Sequence, residues 1–176
     1  MKFAEVSPST KQALLNVGLD PEHTIDLVKR AYEEDLQGGE DATSVATIPV
    51  DHVSTAEYRL RTNGIIAGIE VAKVALELAG ITDLVSGVLC AHDVEAGTVI
   101  LTARGNTRAI LLAERTSLNF LGHLSGIATL TRAWVDEVSE YGTAIRDTRK
   151  TTPGMRVLEK YAVRMGGGTN HRMSLS

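Results

Sequence analysis

The sequence predicts an α+β sandwich followed by a βα unit of the kind from which α/β barrels are built. Three observations carry this. Residues 54–63 alternate polar and apolar side chains with period two, and helical segments lie on either side of them. Residues 106–138 repeat apolar side chains at helical spacing. Residues 143–147 are a short strand-like stretch, followed by a helical pattern that three glycines close.

Ser7, Ser9 and Thr10 offer caps for a first helix that carries Leu14, Leu15 and Val17 and stops at Gly18. Asp20-Pro21-Glu22 starts a second helix, with Ile25, Leu27, Val28 and Ala31 as apolar positions and Gly38-Gly39 as its end. The acids Glu33, Glu34, Asp35, Glu40 and Asp41 read as a solvated helix end rather than a metal site. In the strand over 54–63, Ala56, Tyr58, Leu60 and Thr62 share one face, and Glu57, Arg59 and Arg61 the other. Residues 64–68 lead into a helix over 71–79 that Gly80 closes. Two strands over 85–90 and 99–103 follow, joined by a turn around Asp93 and Gly97, with Cys90 as a buried residue of the first. The turn has the look of a biotinyl or lipoyl carrier hairpin. No lysine lies between Lys73 and Lys150 to bear the cofactor, which excludes that function.

Asn106 or Thr107 caps the long helix, whose apolar positions include Ile110, Leu111, Leu118, Leu121 and Leu124. Two polar residues interrupt it. His123 reads as a helix histidine bonded to a backbone carbonyl. Arg115 is open between an ion pair with an acid such as Glu114 and a functional role. After the strand over 143–147, Pro153 begins a helix with Met155, Leu158, Ala162 and Met165 on one face, ended by Gly166-Gly167-Gly168. In α/β barrels ligands bind where strands end and helices begin, which is where Arg149 and Lys150 stand.

At 176 residues and 43% hydrophobic content, the chain can bury one good core or two small ones. A single cysteine excludes an internal disulfide, and without His or Cys neighbours it excludes a zinc site. No apolar run approaches the ~20 residues that span a bilayer, and no signal-peptide core follows the first residues, so a cytoplasmic location is expected. The net charge of -4 is unevenly divided: residues 1–103 carry 7 bases and 16 acids, residues 104–176 carry 11 and 6. Residues 146–172 alone hold seven bases against two acids, Asp147 and Glu159. Aromatics are 4% of the chain, with Tyr161 alone among these bases, which argues against nucleic acid as the partner. Arg149, Lys150 and Arg172 at strand ends suit a small dicarboxylate, since an Arg fork grips one carboxylate and a Lys follows another oxygen. Surface ion pairs are the alternative, and spacing alone leaves the two open.

Five blocks carry a resemblance. They are Ala113-Glu114-Arg115-Thr116-Ser117-Leu118-Asn119-Phe120, His123-Leu124-Ser125-Gly126-Ile127-Ala128-Thr129, Asp147-Thr148-Arg149-Lys150-Thr151-Thr152-Pro153-Gly154, Lys160-Tyr161-Ala162-Val163 and Gly166-Gly167-Gly168-Thr169-Asn170-His171-Arg172. In order and spacing the chain resembles the quinolinate phosphoribosyltransferase family, densely from Ala113 to Arg172 and with less distinctive motifs at 34–43 and 64–68. The resemblance implies an N-terminal α+β sandwich domain over 1–126 and the first part of an α/β barrel over 127–176. It implies a pentosyltransferase that joins quinolinate to phosphoribosyl pyrophosphate, releasing pyrophosphate, carbon dioxide and nicotinate mononucleotide on the de novo route to NAD, with Mg²⁺ assisting.

The resemblance also assigns residues. Arg149 and Lys150 would be catalytic, and Arg149, Lys150 and Arg172 would bind the quinolinate carboxylates with Thr148 and His171 beside them. Arg115 would reach the same pocket from the partner subunit of a homodimer or higher oligomer. A whole barrel takes ~250 residues and one βα unit ~30, so a truncated barrel is expected, with the Mg²⁺ and phosphoribosyl pyrophosphate ligands beyond Ser176 and no metal ligands in this chain. On that expectation the chain alone is inactive. Two alternatives stand beside it: a related barrel phosphoribosyltransferase with another substrate, and a non-catalytic anion-binding or oligomerisation fragment.

Overall fold

A computed structural model of the chain describes residues 2–175, so Ser176 lies outside the described residues. Helices α1 (Pro8–Asn16) and α2 (Pro21–Leu36) form as the caps dictate: Ser7 accepts the N–H of Thr10 and Asp20 that of His23, each with a proline in the first turn. A short helix α3 (Ala42–Thr47) follows. Asp41 is not merely part of a solvated acidic end but its N-cap, accepting the Ser44 N–H.

Strand β1 (Val53–Arg59) pairs antiparallel with β5 (Val99–Asn106), which pairs on its other side with β3 (Asp83–Ser86), giving the order β1-β5-β3. The strand expected over 54–63 stops early, because the register shifts at Tyr58/Arg59 and the chain peels away. It re-forms as β2 (Gly64–Ile65), paired with β4 (Asp93–Val94) in a second, two-stranded sheet. The strand expected over 85–90 also ends early. Cβ at Gly87 would stand 2.3 Å from the Val99 carbonyl oxygen, and the chain then turns through Ala91 at φ 67°. Cys90 therefore sits half-buried in a turn, not in a strand.

Helix α4 (Ile69–Leu78) is buried on nearly every side, as its apolar run requires. Its one buried acid, Glu77, accepts hydrogen bonds from the Ser7 N–H and from the Ser7 and Thr10 hydroxyls, so α1 docks on it through satisfied polar groups. Helix α5 (Thr107–Val138) runs 32 residues unbroken, through the expected boundary at 126, and packs against α4, α6 (Arg156–Met165) and the sheets. No helix among the described residues is long and apolar enough to cross a membrane.

The strand expected over 143–147 is reduced to one parallel bridge between Arg146 and Thr169, because only that side of it is paired. Helix α6 begins at Arg156 rather than Pro153, since Gly154 at φ 82° holds residues 152–155 in a turn. Its end is fixed by packing as well as by glycine flexibility: Cβ at Gly166 would stand 2.4 Å from the Ala128 carbonyl oxygen on α5. Side-chain hydrogen bonds bind α6 to the N-terminal layers. The Gly68 N–H donates to the Tyr161 hydroxyl at 3.1 Å, Arg164 reaches the Val17 carbonyl at 3.1 Å, and His123 meets Glu159 at 2.9 Å.

Candidate functional site

The parallel bridge sets two strand ends side by side. The Thr169 N–H donates to the Ile145 carbonyl at 2.8 Å and the Asp147 N–H to the Thr169 carbonyl at 3.1 Å. Thr148-Arg149-Lys150 leaves the first strand end and His171-Arg172 the second, so the four cationic or titratable residues emerge at the same edge.

Asp147 ties this edge together. One carboxylate oxygen, Oδ1, takes the Lys160 ammonium and the His171 N–H; the other, Oδ2, takes the Asn170 amide at 2.6 Å. Lys160 also donates to the His171 carbonyl at 3.0 Å. Asn170 is held from behind by Arg164 at 2.8 Å. None of Asp147, Lys160, Asn170 and Arg164 was singled out as a site residue from sequence. The signal was present, because Asp147 and Glu159 are the two acids within a run of seven bases, and each is a hub of hydrogen bonds.

Arg149 is half-buried, and its Nε is buried with no hydrogen-bond partner among the described residues. Lys150 and His171 expose their side chains, and the Thr148 hydroxyl accepts the Lys150 N–H at 3.0 Å, which tightens the turn. Arg172 is exposed and donates to the Leu175 carbonyl at 3.1 Å. The bland alternative for these cations, surface ion pairs, does not describe Arg149, Lys150 or Arg172. The ion pairs among the described residues are Arg59–Glu57, His123–Glu159, Arg132–Asp136 and Lys160–Asp147.

Arg115 stands on α5. It is exposed, unpaired with Glu114, and lines a cavity of about 540 Å³ with Glu34, Asp35, Asn119, His123 and Thr152. Neither Arg149, Lys150, His171 nor Arg172 lines that cavity. Within one copy of the chain the bridge sets the backbone at 148–150 beside that at 171–172, and Arg115 lines a cavity that includes Thr152.

His123, expected on a backbone carbonyl, instead bonds the Glu159 carboxylate. Burial pushes the Glu159 carboxyl up, but hydrogen bonds from Thr152 and His123 outweigh it and hold the group below its ordinary value. Glu159 thereby fastens the Thr152 N–H, two residues beyond Lys150, at 3.1 Å. Cys90 offers no nucleophile: burial, with the adjacent Glu70 charge, pushes its thiol up to about 11, and it donates to Glu70 at 3.1 Å. Among the described residues, no three His, Cys, Asp or Glu side chains converge as metal ligands.

Two family models match. That described as quinolinate phosphoribosyl transferase, N-terminal domain, matches residues 41–125, and the C-terminal domain of the same family matches residues 127–176. Over 157 residues the chain is 47% identical to the nicotinate-nucleotide pyrophosphorylase (carboxylating) of Mycobacterium leprae, a match covering 85% of this chain and 54% of that protein. It is 42% identical over 144 residues to a probable nicotinate-nucleotide pyrophosphorylase (carboxylating) of Synechocystis sp., covering 81% and 48%. Among solved structures, the nicotinate-nucleotide pyrophosphorylase of Francisella tularensis matches with TM-score 0.81 and 38% identity, covering 88% of this chain and 54% of that one. NadC from Streptococcus pyogenes matches with TM-score 0.85 and 35% identity, covering 90% and 56%. The chain spans about half the length of the curated relatives it matches.

Proposed function

The chain belongs to the quinolinate phosphoribosyltransferase family, and from that membership we propose that it supplies the quinolinate side of a decarboxylating phosphoribosyl transfer. The substrates are quinolinate and phosphoribosyl pyrophosphate; the products are nicotinate mononucleotide, pyrophosphate and carbon dioxide, in NAD biosynthesis. The observation that carries this reading is the shared strand end, where Arg149 and Lys150 leave one strand beside His171 and Arg172 leaving the next.

Arg149 presents a planar fork to one carboxylate, and its side chain has no ion-pair partner among the described residues. Lys150 and Arg172 add charge for the second carboxylate, with Thr148 and His171 beside them. Held this way, the ring nitrogen faces outward toward the ribose anomeric carbon. It forms the new C–N bond as pyrophosphate leaves with the electron pair of the broken C–O bond. The ring nitrogen is then cationic and stabilises the electron pair left on the adjacent ring carbon when its carboxylate departs as carbon dioxide. A proton then takes that position. The family resemblance implies Mg²⁺, and no step here involves it.

A homodimer belongs to the same proposal. Its support is the family resemblance, which implies that Arg115 serves the pocket of a partner subunit; within one copy Arg115 lines a cavity with Thr152 but with none of the four clamp residues. The cytoplasmic location rests on the sequence alone. Calorimetric titration with quinolinate and with nicotinate, which lacks the second carboxylate, tests the function. Quinolinate is expected to bind at least about tenfold more tightly, a difference of about 1.4 kcal/mol. Equal affinities would refute a dicarboxylate clamp.

A further inference from the structure

Lys160 and Asp147 form the most deeply buried ion pair among the described residues, with side chains 1% and 8% exposed. Neither side chain belongs to the clamp proposed above. Apolar residues of similar volume would fill the same space without desolvating two charges, so packing alone does not explain the pair. An apolar pair could not make the bonds that leave it. Lys160 donates to the His171 carbonyl, and Asp147 accepts from the His171 N–H and the Asn170 amide. Asn170 closes the ring by donating to the Lys160 carbonyl at 2.8 Å. These bonds end at residue 147, just before Thr148-Arg149-Lys150, and at residues 170–171, just before Arg172.

We infer that the Asp147–Lys160 pair is the positioning element of the clamp, fixing the separation of its two cationic segments and so selecting substrates whose carboxylates are neighbours on the ring. This rests on the quinolinate reading and extends it to residues that touch no substrate. Because Asp147 neutralises Lys160 in place, the ammonium acts on the backbone of the second strand end and adds nothing to anion binding directly.

The test compares Lys160→Met, Asp147→Asn and the double variant by thermal midpoint and by titration with quinolinate and pyridine-2,4-dicarboxylate, whose carboxylates are not neighbours. Each single variant leaves one buried charge unpaired and should lower the midpoint. The double variant removes both charges and should recover much of it. The positions should nonetheless stay loose. The side-chain amide that Asp147→Asn introduces cannot accept both the Asn170 amide and the His171 N–H as the carboxylate does, because one of its two ends is a donor. The His171 carbonyl would also lack its ammonium. The double variant is therefore expected to bind quinolinate at least about tenfold more weakly and to lose its preference over the 2,4-isomer. Asn170→Ala, which leaves both charges of the ion pair in place, should weaken quinolinate binding in the same direction, with a smaller loss of midpoint than Lys160→Met or Asp147→Asn.

A double variant that regains both midpoint and quinolinate affinity would make the pair a folding element only and overturn the inference. So would unchanged quinolinate affinity in a folded Asn170→Ala protein. Arg149→Ala separates this from the function itself. Binding that Arg149→Ala abolishes and the double variant keeps defeats the positioning role alone. No binding by the unsubstituted protein, or binding indifferent to Arg149→Ala, defeats the clamp.

Discussion

The backbone N–H of His171 donates to Oδ1 of Asp147 at 2.7 Å, across the gap between two parallel strand ends. One carboxylate thus joins segments separated by 24 residues in sequence and holds them where both carry exposed cations. Charge density alone would drive those cations apart. The hydrogen bonds that the Asp147–Lys160 pair makes to residue 171 hold the two segments together against that repulsion.

Arg149 is the clamp residue best placed to lose a substrate contact. Arg149→Ala should weaken quinolinate binding by about 2–5 kcal/mol, since a desolvated carboxylate would be left without its fork. Calorimetric titration gives the comparison. The thermal midpoint should change little, because the Arg149 Nε has no hydrogen-bond partner to lose.

Arg115 should act between copies. Arg115→Ala and Arg149→Ala proteins, each defective in quinolinate binding, should regain about one competent site per hybrid dimer when mixed, because that site takes Arg115 and Arg149 from different chains. Titration of mass-verified hybrids checks this. Hybrids that remain as defective as the parents would place Arg115 outside the clamp.

Glu159 gives a pH dependence with a definite sign. Its carboxyl is held below its ordinary value of 4.5, so the folded state binds its proton less readily than the unfolded chain does. The stability it supplies is present above the ordinary value and lost as pH falls through the lowered one. Glu159→Gln should cost about 1–3 kcal/mol at neutral pH, and that gap should close in acid. Thermal midpoints of both proteins across the acid range measure it, and a gap independent of pH would contradict it.

Gly166→Ala should destabilise the protein by about 1–3 kcal/mol, because the added methyl meets the Ala128 carbonyl oxygen at 2.4 Å and the Thr131 Cβ at 2.7 Å. Denaturant unfolding measures the loss. Gly142→Ala is a useful contrast: no atom lies within 4 Å of the added Cβ there, so only the positive φ of 62° opposes it.

Local signals made the helices legible. Ser7, Asp20 and Asn106 are caps by side-chain chemistry, and the structure uses each of them as such. Strand ends were less legible, because β1 and β3 stop where a register shift and a close approach to the Val99 carbonyl intervene, both of them facts about another strand. The residues of the proposed clamp are legible as cations after a strand-like stretch, and of them Lys150 and Arg172 are exposed while Arg149 is half-buried. What holds them is not legible: Lys160 looks like any helix lysine until Asp147, 13 residues earlier, is folded against it. The partner of His123 is illegible for the same reason, since Glu159 lies 36 residues away.

The dicarboxylate clamp is tested most directly by nuclear magnetic resonance, following the Arg149 Nε–H and the His171 backbone amide as quinolinate is added. Both resonances should move saturably with one dissociation constant. Nicotinate at the same concentrations should move them far less. Saturable shifts confined to Arg115, His123 and their neighbours, with Arg149 and His171 unmoved, would contradict the clamp.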